Sequence, residues 1–453
     1  MGRHLCHVGP VAGAGVHRVC RFSEVPGGGH RHHGPEGLGR AGLIRYGVVG
    51  VGGFAANWVR WLGGLEAAGA ARLAAAVVRD RAKYAAEVEA LSGRGCRVYA
   101  TLEEMLAEGG IDVVGVPTGI AQHVPLSARA MEAGYNVLVE KPISATVQEA
   151  RALREAQVRT GRWCAVGFQF IYSPTIQWLR EQLASGRLGA LRQARAVIGW
   201  PRGARYYGRN PWAGRLRQGG AWVLDGPATN ATAHHLENML YLAAAQEGGA
   251  IASVRAELYR AGPIASYDTS CIEVLTEGGA RLLHVASHAL KEALEPVMEI
   301  ECERGLIHWE AADNSAVIRY ADGREERRAD PDPDEVHARP LAQVARVAAG
   351  LDPAPLCGLA EAEPHVLAID LAFESSGGIA TIGSEHVAQG TAGDGSALAC
   401  VKGIEELLRR ALASGCMLSE LAAPWARGTQ AVAARGYGSF PGSEALAHAL
   451  GGT

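Results

Sequence analysis

Residues 43–62, LIRYGVVGVGGFAANWVRWL, carry an apolar run that stops at Gly50, Gly52 and Gly53 and then resumes at helical spacing. The stretch reads as strand, tight turn and helix, with residues 44–49 β-like, 56–62 helix-like, and a second apolar strand at 73–78. Gly50 and Gly52 permit a sharp turn and let a pyrophosphate approach bare main chain, while the small Ala55 lets the helix pack closely on the strand. A diphosphate would rest on the free N–H groups and the positive dipole end of that helix. In a chain with 59 glycines the pattern means little alone. Its flanks make Gly50, Val51, Gly52, Gly53, Phe54 and Ala55 a candidate dinucleotide cradle.

Outward from this turn, strands and helices alternate. A helix is expected over 83–91, a strand over 97–99, and a helix opened by Thr101 with Glu104 at capping-box spacing. A buried strand over 111–116 stops at Pro117-Thr118, a helix over 125–133 ends at Gly134, and a further strand spans 136–139. This order predicts an α/β unit with a parallel, doubly wound Rossmann sheet, whose ligands bind beyond the carboxyl ends of the strands. The turn at Gly50, Arg79, Pro117-Thr118 and Glu140-Lys141-Pro142 all fall at such ends.

After a helix over 147–160 the character changes. Short alternating stretches at 191–198, 251–259, 270–276, 280–287, 296–303, 306–310 and 316–320 predict an open, mostly antiparallel sheet, followed by helices over 341–349 and 360–375. The expected division is a disordered Gly/His/Arg-rich head at 1–42, a dinucleotide-binding domain at 43–142, an α+β substrate and oligomerisation domain at 143–383, and a C-terminal appendage at 384–453 with one amphipathic helix over 401–414. The His cluster at 30–33, flanked by glycines, reads as part of a solvated tail, and no metal site is expected. A formal net charge of -3 offers no electrostatic footprint for nucleic acid or an acidic membrane. No apolar run approaches the roughly 20 residues that a membrane helix needs. The nine cysteines are odd in number and lack C-x-x-C spacing, which suits free thiols in a reducing, cytoplasmic setting.

At Val137-Leu138-Val139-Glu140-Lys141-Pro142, with Pro117-Thr118 and His123 before it, the chain resembles the glucose-fructose oxidoreductase and inositol dehydrogenase family (Gfo/Idh/MocA). The glycine turn, this E-K-P, Val166-Gly167-Phe168-Gln169 and Gly219-Gly220-Ala221-Trp222-Val223-Leu224-Asp225 occur in that family's order. The resemblance implies an N-terminal nicotinamide-binding domain and a C-terminal α+β domain whose open sheet supports a homo-oligomer. It also implies hydride transfer at a hydroxyl-bearing carbon of a small sugar or cyclitol. Pro117, Thr118, His123, Glu140 and Lys141 become candidate cofactor contacts, and Gln169 a candidate substrate contact.

The residues' own chemistry supports this. Alcohol oxidation needs a hydride acceptor, which must be a cofactor, and a group to take the hydroxyl proton. Lys141, at a strand end and followed by Pro142, can serve once burial or a neighbouring positive charge lowers its pKa. Asp225 ends an apolar run before Gly226-Pro227 and should stand at the cleft edge. In the family an aspartate here is followed four residues later by a histidine that works with the lysine; this chain has Thr229 there, and its histidines come at 234 and 235. A helix over 229–241 would put Asn230, His234 and Asn238 on one face, with His234 as proton relay or, equally, a core histidine bonded to a carbonyl. Arg79 just after the second strand favours NADP through its 2'-phosphate, while Asp80 leaves NAD open. The segment 200–218, WPRGARYYGRNPWAGRLRQ, offers Tyr206 and Trp212 for stacking on a sugar and arginines for an anionic substituent; an interface loop has the same composition. Two other readings stay open: an NAD-dependent glycoside hydrolase of the same family, and a non-catalytic dinucleotide-binding sensor.

Overall fold

The computed structural model describes residues 42–451; the expected disordered head lies, apart from Gly42, outside the described residues. The first unit runs β1 (Ile44–Val49), α1 (Ala55–Ala67), β2 (Ala71–Val77), α2 (Ala85–Gly93), β3 (Arg97–Tyr99), α3 (Leu102–Glu108), β4 (Val113–Val116), α4 (Ile120–Glu132), β5 (Asn136–Val139), α5 (Val147–Thr160) and β6 (Cys164–Val166). Its six strands are parallel in the order β3-β2-β1-β4-β5-β6. The strands are mostly apolar, and Val113–Val116 is buried throughout, because both faces of a parallel sheet are covered. Strand order reverses between β1 and β4, so a crevice opens beyond their carboxyl ends. The sheet takes β6 from beyond residue 142, where the sequence had suggested that the first domain would stop.

The second unit begins with α6 (Pro174–Ala184), β7 (Leu191–Gly199), the single turn α7 (Ala204–Tyr207), the hairpin β8 (Arg217–Gln218) and β9 (Ala221–Trp222), and α8 (Ala233–Ala243). The meander β10 (Ile251–Arg260), β11 (Thr269–Thr276), β12 (Arg281–Ser287), β13 (Leu294–Cys302), β14 (Gly305–Glu310), β15 (Ser315–Tyr320) and β16 (Glu325–Arg328) follows. Next come α9 (Arg339–Ala348), α10 (Leu359–Ser376) and β17 (Ala380–Thr381), then the hairpin β18 (Val387–Thr391) and β19 (Ala397–Val401), α11 (Ile404–Ser414), β20 (Val432–Ala433) and α12 (Glu444–Ala449). The large sheet has the order β16-β15-β14-β13-β7-β12-β11-β10-β17, with β20 also on β10. It is antiparallel except where β7 meets β12 and β10 meets β17.

One face of this sheet is filled by α8 and α10, through Leu236, Met239, Val366 and Ile369 against Val254, Ile272 and Leu282. The other face meets the C-terminal segment: Ile404, Leu407, Leu408, Ala411, Met417 and Leu418 pack on Val197, Cys271, Leu283 and Val285. The amphipathic α11 lies on β7 and β12, the residues that follow it reach Cys271 of β11 and Tyr259 of β10, and the strands beyond carry charged groups such as Glu299 and Arg319. α9 returns to the first unit, with Leu341 and Val344 packed on Ile44, Tyr46 and Trp58, and the Tyr46 hydroxyl donating to Leu341 O at 2.7 Å.

Candidate functional site

The glycine turn has the form that the sequence suggested. Gly50 holds φ +98° and Gly53 φ +58°, left-handed values that favour glycine. Gly50 N–H donates to Val77 O at 2.9 Å, tying the turn to β2. The N–H groups of Val51, Gly52, Gly53 and Phe54 meet no acceptor among the described residues. At Gly52 a Cβ would lie 2.3 Å from the Tyr84 hydroxyl, so only glycine lets that phenol lie over the turn. Four free donors at a helix N-terminus fit a diphosphate, and the buried Thr118 hydroxyl beyond β4 is also without a partner. Arg79 is exposed and forms no ion pair among the described residues, whereas Asp80 accepts the Lys83 N–H at 2.9 Å.

Glu140 and His123, both expected as cofactor contacts, are hydrogen-bonded within the chain. Glu140 accepts from Trp58 Nε1 at 3.0 Å and from Lys141 N at 3.1 Å, so its carboxylate is turned to α1 and its own main chain. His123 is 1% exposed, with Nδ1 2.7 Å from Pro142 O and Nε2 3.1 Å from Thr118 O. Burial lowers its pKa to about 4 against the pull of the two carbonyls, and the ring spans the ends of β4 and β5, a neutral imidazole donating to one carbonyl only. Pro117 is buried beside it.

Lys141 stands at the carboxyl end of β5, half-buried. Its Nζ donates to Asn230 O at 2.6 Å and to Asn230 Oδ1 at 2.9 Å. The Asn230 amide nitrogen donates to Asp225 Oδ1 at 2.9 Å, and Gly214 N–H donates to Asp225 Oδ2 at 2.7 Å. A neutral amide therefore stands between lysine and carboxylate. Desolvation lowers the Lys141 pKa to about 8; Glu140 and Asp225 oppose the shift, and Arg209 adds to it. Burial raises the Asp225 pKa, against the pull of Arg209 and its hydrogen bonds. Of the 44 basic residues only Lys83, Lys141, Lys291 and Lys402 are lysines, and the other three are exposed. In a chain that otherwise uses arginine, the one lysine that is not exposed stands at this strand end, and lysine, unlike arginine, can lose its proton near neutral pH when buried.

The expected helix over 229–241 is not continuous. A π-helical turn, Pro227–Ala231, precedes α8, and Thr232 N–H bonds back to Pro227 O at 2.8 Å. The wide turn leaves the Asn230 carbonyl for Lys141 and breaks the i, i+4 relation to His234. Thr229, at the family's histidine position, faces inward, its hydroxyl 2.8 Å from that of Tyr267. His234 is 9% exposed and lies edge-on to Phe168 and Phe170, with ring centroids at 5.8 Å in both cases. Burial, reinforced by the Lys141 charge, holds it neutral. Asn238 lies a turn deeper, 1% exposed with neither amide atom partnered, so the structure does not bring it to the cleft.

Gln169 Oε1 lies 2.7 Å from His337 Nδ1, and His337 stacks on Trp61 at 5.5 Å. Neither His337 nor Trp61 was expected from the sequence. Across the cleft, Tyr206 lies against two guanidinium groups, Arg202 at 4.9 Å and Arg209 at 3.6 Å from its ring centroid. Trp212 reaches back to the first unit; a Cβ on Gly119 at the start of α4 would lie 3.0 Å from its Nε1. Among the described residues no group of three His, Cys, Asp or Glu side chains is placed to hold a metal, and no helix is long and apolar enough to cross a membrane.

Comparison with known proteins matches this architecture. A model described as "Oxidoreductase family, NAD-binding Rossmann fold" matches residues 44–168, and one described as "GFO/IDH/MocA C-terminal domain" matches 176–308. A dTDP-3,4-didehydro-2,6-dideoxy-alpha-D-glucose 3-reductase of Saccharopolyspora spinosa is 30% identical over 161 residues, 35% of this chain and 46% of that protein. Inositol 2-dehydrogenase 2 of Saccharopolyspora erythraea is 29% identical over 199 residues, 42% of this chain and 57% of that protein. The chain thus spans about half the length of the curated relatives it matches. Among solved structures, the WlbA dehydrogenase from Bordetella pertussis in complex with NADH and UDP-GlcNAcA shares the fold, with a TM-score of 0.61 at 21% identity over 74% of this chain and 96% of that one.

Proposed function

We propose that this chain, which belongs to the Gfo/Idh/MocA oxidoreductase family, transfers a hydride between a nicotinamide dinucleotide and a hydroxyl-bearing carbon of a sugar or cyclitol. The observation that carries the reading is Lys141: an amine of lowered basicity, aimed by two oxygens of Asn230, at the sheet edge that also presents the free N–H groups of the glycine turn. A bound dinucleotide supplies hydride acceptance, which no side chain can.

In this reading Val51 to Phe54 hold the diphosphate through main-chain N–H groups, and Pro117 and Thr118 line the nicotinamide side. Lys141 Nζ, in its neutral form, takes the proton of the substrate hydroxyl. The acceptors on Asn230 fix the direction of the amine, and Asp225 fixes Asn230. His234, held neutral by burial, passes that proton onward in this reading. Gln169, Tyr206 and Trp212 border the space for the sugar. The cofactor is NADP, with Arg79 facing its 2'-phosphate, in preference to NAD. The seven described cysteines, all free, favour a cytoplasmic setting.

The test combines calorimetric titration with NAD and NADP and a polyol and sugar panel followed at the reduced-nicotinamide absorbance, using wild type and Lys141→Met. Binding of one dinucleotide, turnover of one panel member, and loss of roughly 10²- to 10⁴-fold in kcat with cofactor affinity kept are the expected results. No dinucleotide binding, or turnover in Lys141→Met within about twofold of wild type, overturns the reading.

A further inference from the structure

The loop that faces Lys141 carries hydrogen-bond donors with no acceptor to match. Arg202 Nε is buried and has no partner, and no carboxylate forms an ion pair with Arg202 or Arg209 among the described residues. Arg209 spends one nitrogen on Tyr206 O at 2.7 Å and otherwise lies exposed beside Tyr206 and Trp212. Beneath them His288, 2% exposed, holds its Nδ1 3.0 Å from the Tyr207 hydroxyl, while its Nε2 is buried with no partner. When the tyrosine donates to Nδ1, the unpartnered Nε2 carries the proton and is one more donor. The nearest carboxylates are occupied: Asp225 by Gly214 and Asn230, and Asp268 by the N–H groups of Ala261 and Gly262.

The cluster is a built feature of the fold. Trp200 N–H and Arg202 N–H donate to Ser287 O and His288 O at 3.0 and 3.1 Å, which lays the loop along the end of β12. A Cβ on Gly203 would clash with Ala392 and Ser396, so the hairpin β18–β19 backs the loop from outside. The Arg209 charge also adds to the lowered pKa of Lys141 and offsets the raised pKa of Asp225. Stacking on Tyr206 and Trp212 removes water from the guanidinium faces but leaves their edges for planar, two-point recognition of an oxyanion.

We propose that Arg202, Arg209 and His288 seat an anionic group, a carboxylate or a phosphate, carried by the sugar- or cyclitol-like substrate. This rests on the dehydrogenase reading above and narrows its substrate to acidic or phosphorylated polyols. Buried donors without acceptors, here Arg202 Nε and His288 Nε2, are costly, and an oxyanion is the ligand that would use them together with the exposed guanidinium of Arg209.

The full chain, saturated with whichever dinucleotide it binds, is titrated in a calorimeter with D-glucose, D-glucuronate, myo-inositol, D-glucose 6-phosphate and inorganic phosphate. The expected result is that one organic anion binds at least about tenfold more tightly than its neutral counterpart, as two charge-assisted hydrogen bonds allow. Preference for glucuronate assigns a carboxylate, and preference for glucose 6-phosphate a phosphate. Arg202→Met and Arg209→Met should each erase most of that preference while dinucleotide affinity and the melting temperature stay near wild type. Equal binding of neutral and anionic sugars, no sugar binding at all, binding of inorganic phosphate alone, or a preference that survives in both variants overturns the proposal. Failure to bind any dinucleotide overturns the dehydrogenase reading instead, so the two failures are distinct.

Discussion

The two halves of the cleft are built from different materials. The glycine turn is one contiguous segment that offers main-chain N–H groups, and its side chains matter mainly by being absent. The other half is assembled from Lys141, Asp225, Asn230 and His234, brought together from two stretches of chain, and offers side-chain atoms. The first kind of site needs only a backbone shape and tolerates any pH at which the fold stands. The second depends on protonation and on a deep layer of support.

That support is where the largest effect is expected. Beneath this second half, His235, His284 and His365 are buried, and burial lowers their pKa values to about 3, 3 and 4. Because these folded values lie below the unfolded value, their stabilising share is complete above about pH 6.5 and is lost as pH falls towards the folded values. Each histidine costs about 1.4 kcal/mol per pH unit below 6.5, or roughly 6 kcal/mol for the three at pH 5. In hydrogen exchange at pH 5 against pH 7, amides of α8 and β12 should lose protection before those of β1 and β4. Uniform loss across both units would break the contrast.

Next in size is a pair of substitutions in the turn. Gly50→Val forces a β-branched residue into φ +98° and should lower dinucleotide affinity by roughly ten- to a hundredfold. Phe54→Ala keeps the main chain and should change affinity by less than about threefold, although Phe54 is a large aromatic that is 42% exposed. A large loss in Phe54→Ala would show that the cradle relies on side chains after all.

The same contrast explains how much could be read from the sequence. A β-α-β turn is local, so the strand period, the glycines and the helix period sit within 43–62 and announce it. Lys141 was legible through E-K-P, and its rarity among 40 arginines was a second signal in plain view. The role of Asn230 was not, because a π-helical turn at 227–231 depends on Tyr267 packing against Thr229, and Tyr267 lies 38 residues away. An i, i+4 argument fails when the helix is wound differently for one turn. His337 reaches Gln169 from a Pro- and Asp-rich connection with no periodicity. The α11 face was visible as amphipathic, but nothing in one sequence says which surface an apolar face will cover. The hairpin β18–β19 was missed in a Gly- and Ala-rich stretch despite Asp394-Gly395 at its turn.

A smaller effect tests whether the amide between Lys141 and Asp225 is there to keep the lysine weakly basic. Its surroundings are Glu140 and Asp225, which favour the ammonium, and Arg209, which opposes it; the neighbouring buried histidines are neutral. A base must be deprotonated, so kcat/KM should rise with pH through about 8. Asn230→Asp sets a carboxylate against Nζ, stabilises the ammonium, and should move that rise up by about one pH unit. Near pH 7 the variant should be about tenfold slower, recovering wild-type rates at high pH. A loss independent of pH would reduce Asn230 to a packing role.

The smallest effect lies at the far end of the main-chain site, where a side chain does enter. A diphosphate is common to both dinucleotides, so the turn that is proposed to hold it would not tell NAD from NADP. That choice falls to the groups after β2, where Asp80 is occupied by the Lys83 N–H and Arg79 forms no ion pair among the described residues. Arg79→Ala should weaken NADP by about tenfold, the value of one exposed charge-assisted contact, and leave NAD within about twofold. Equal loss for both would mean that Arg79 touches the shared diphosphate, and the division between a main-chain cradle and side-chain selection would have to be redrawn.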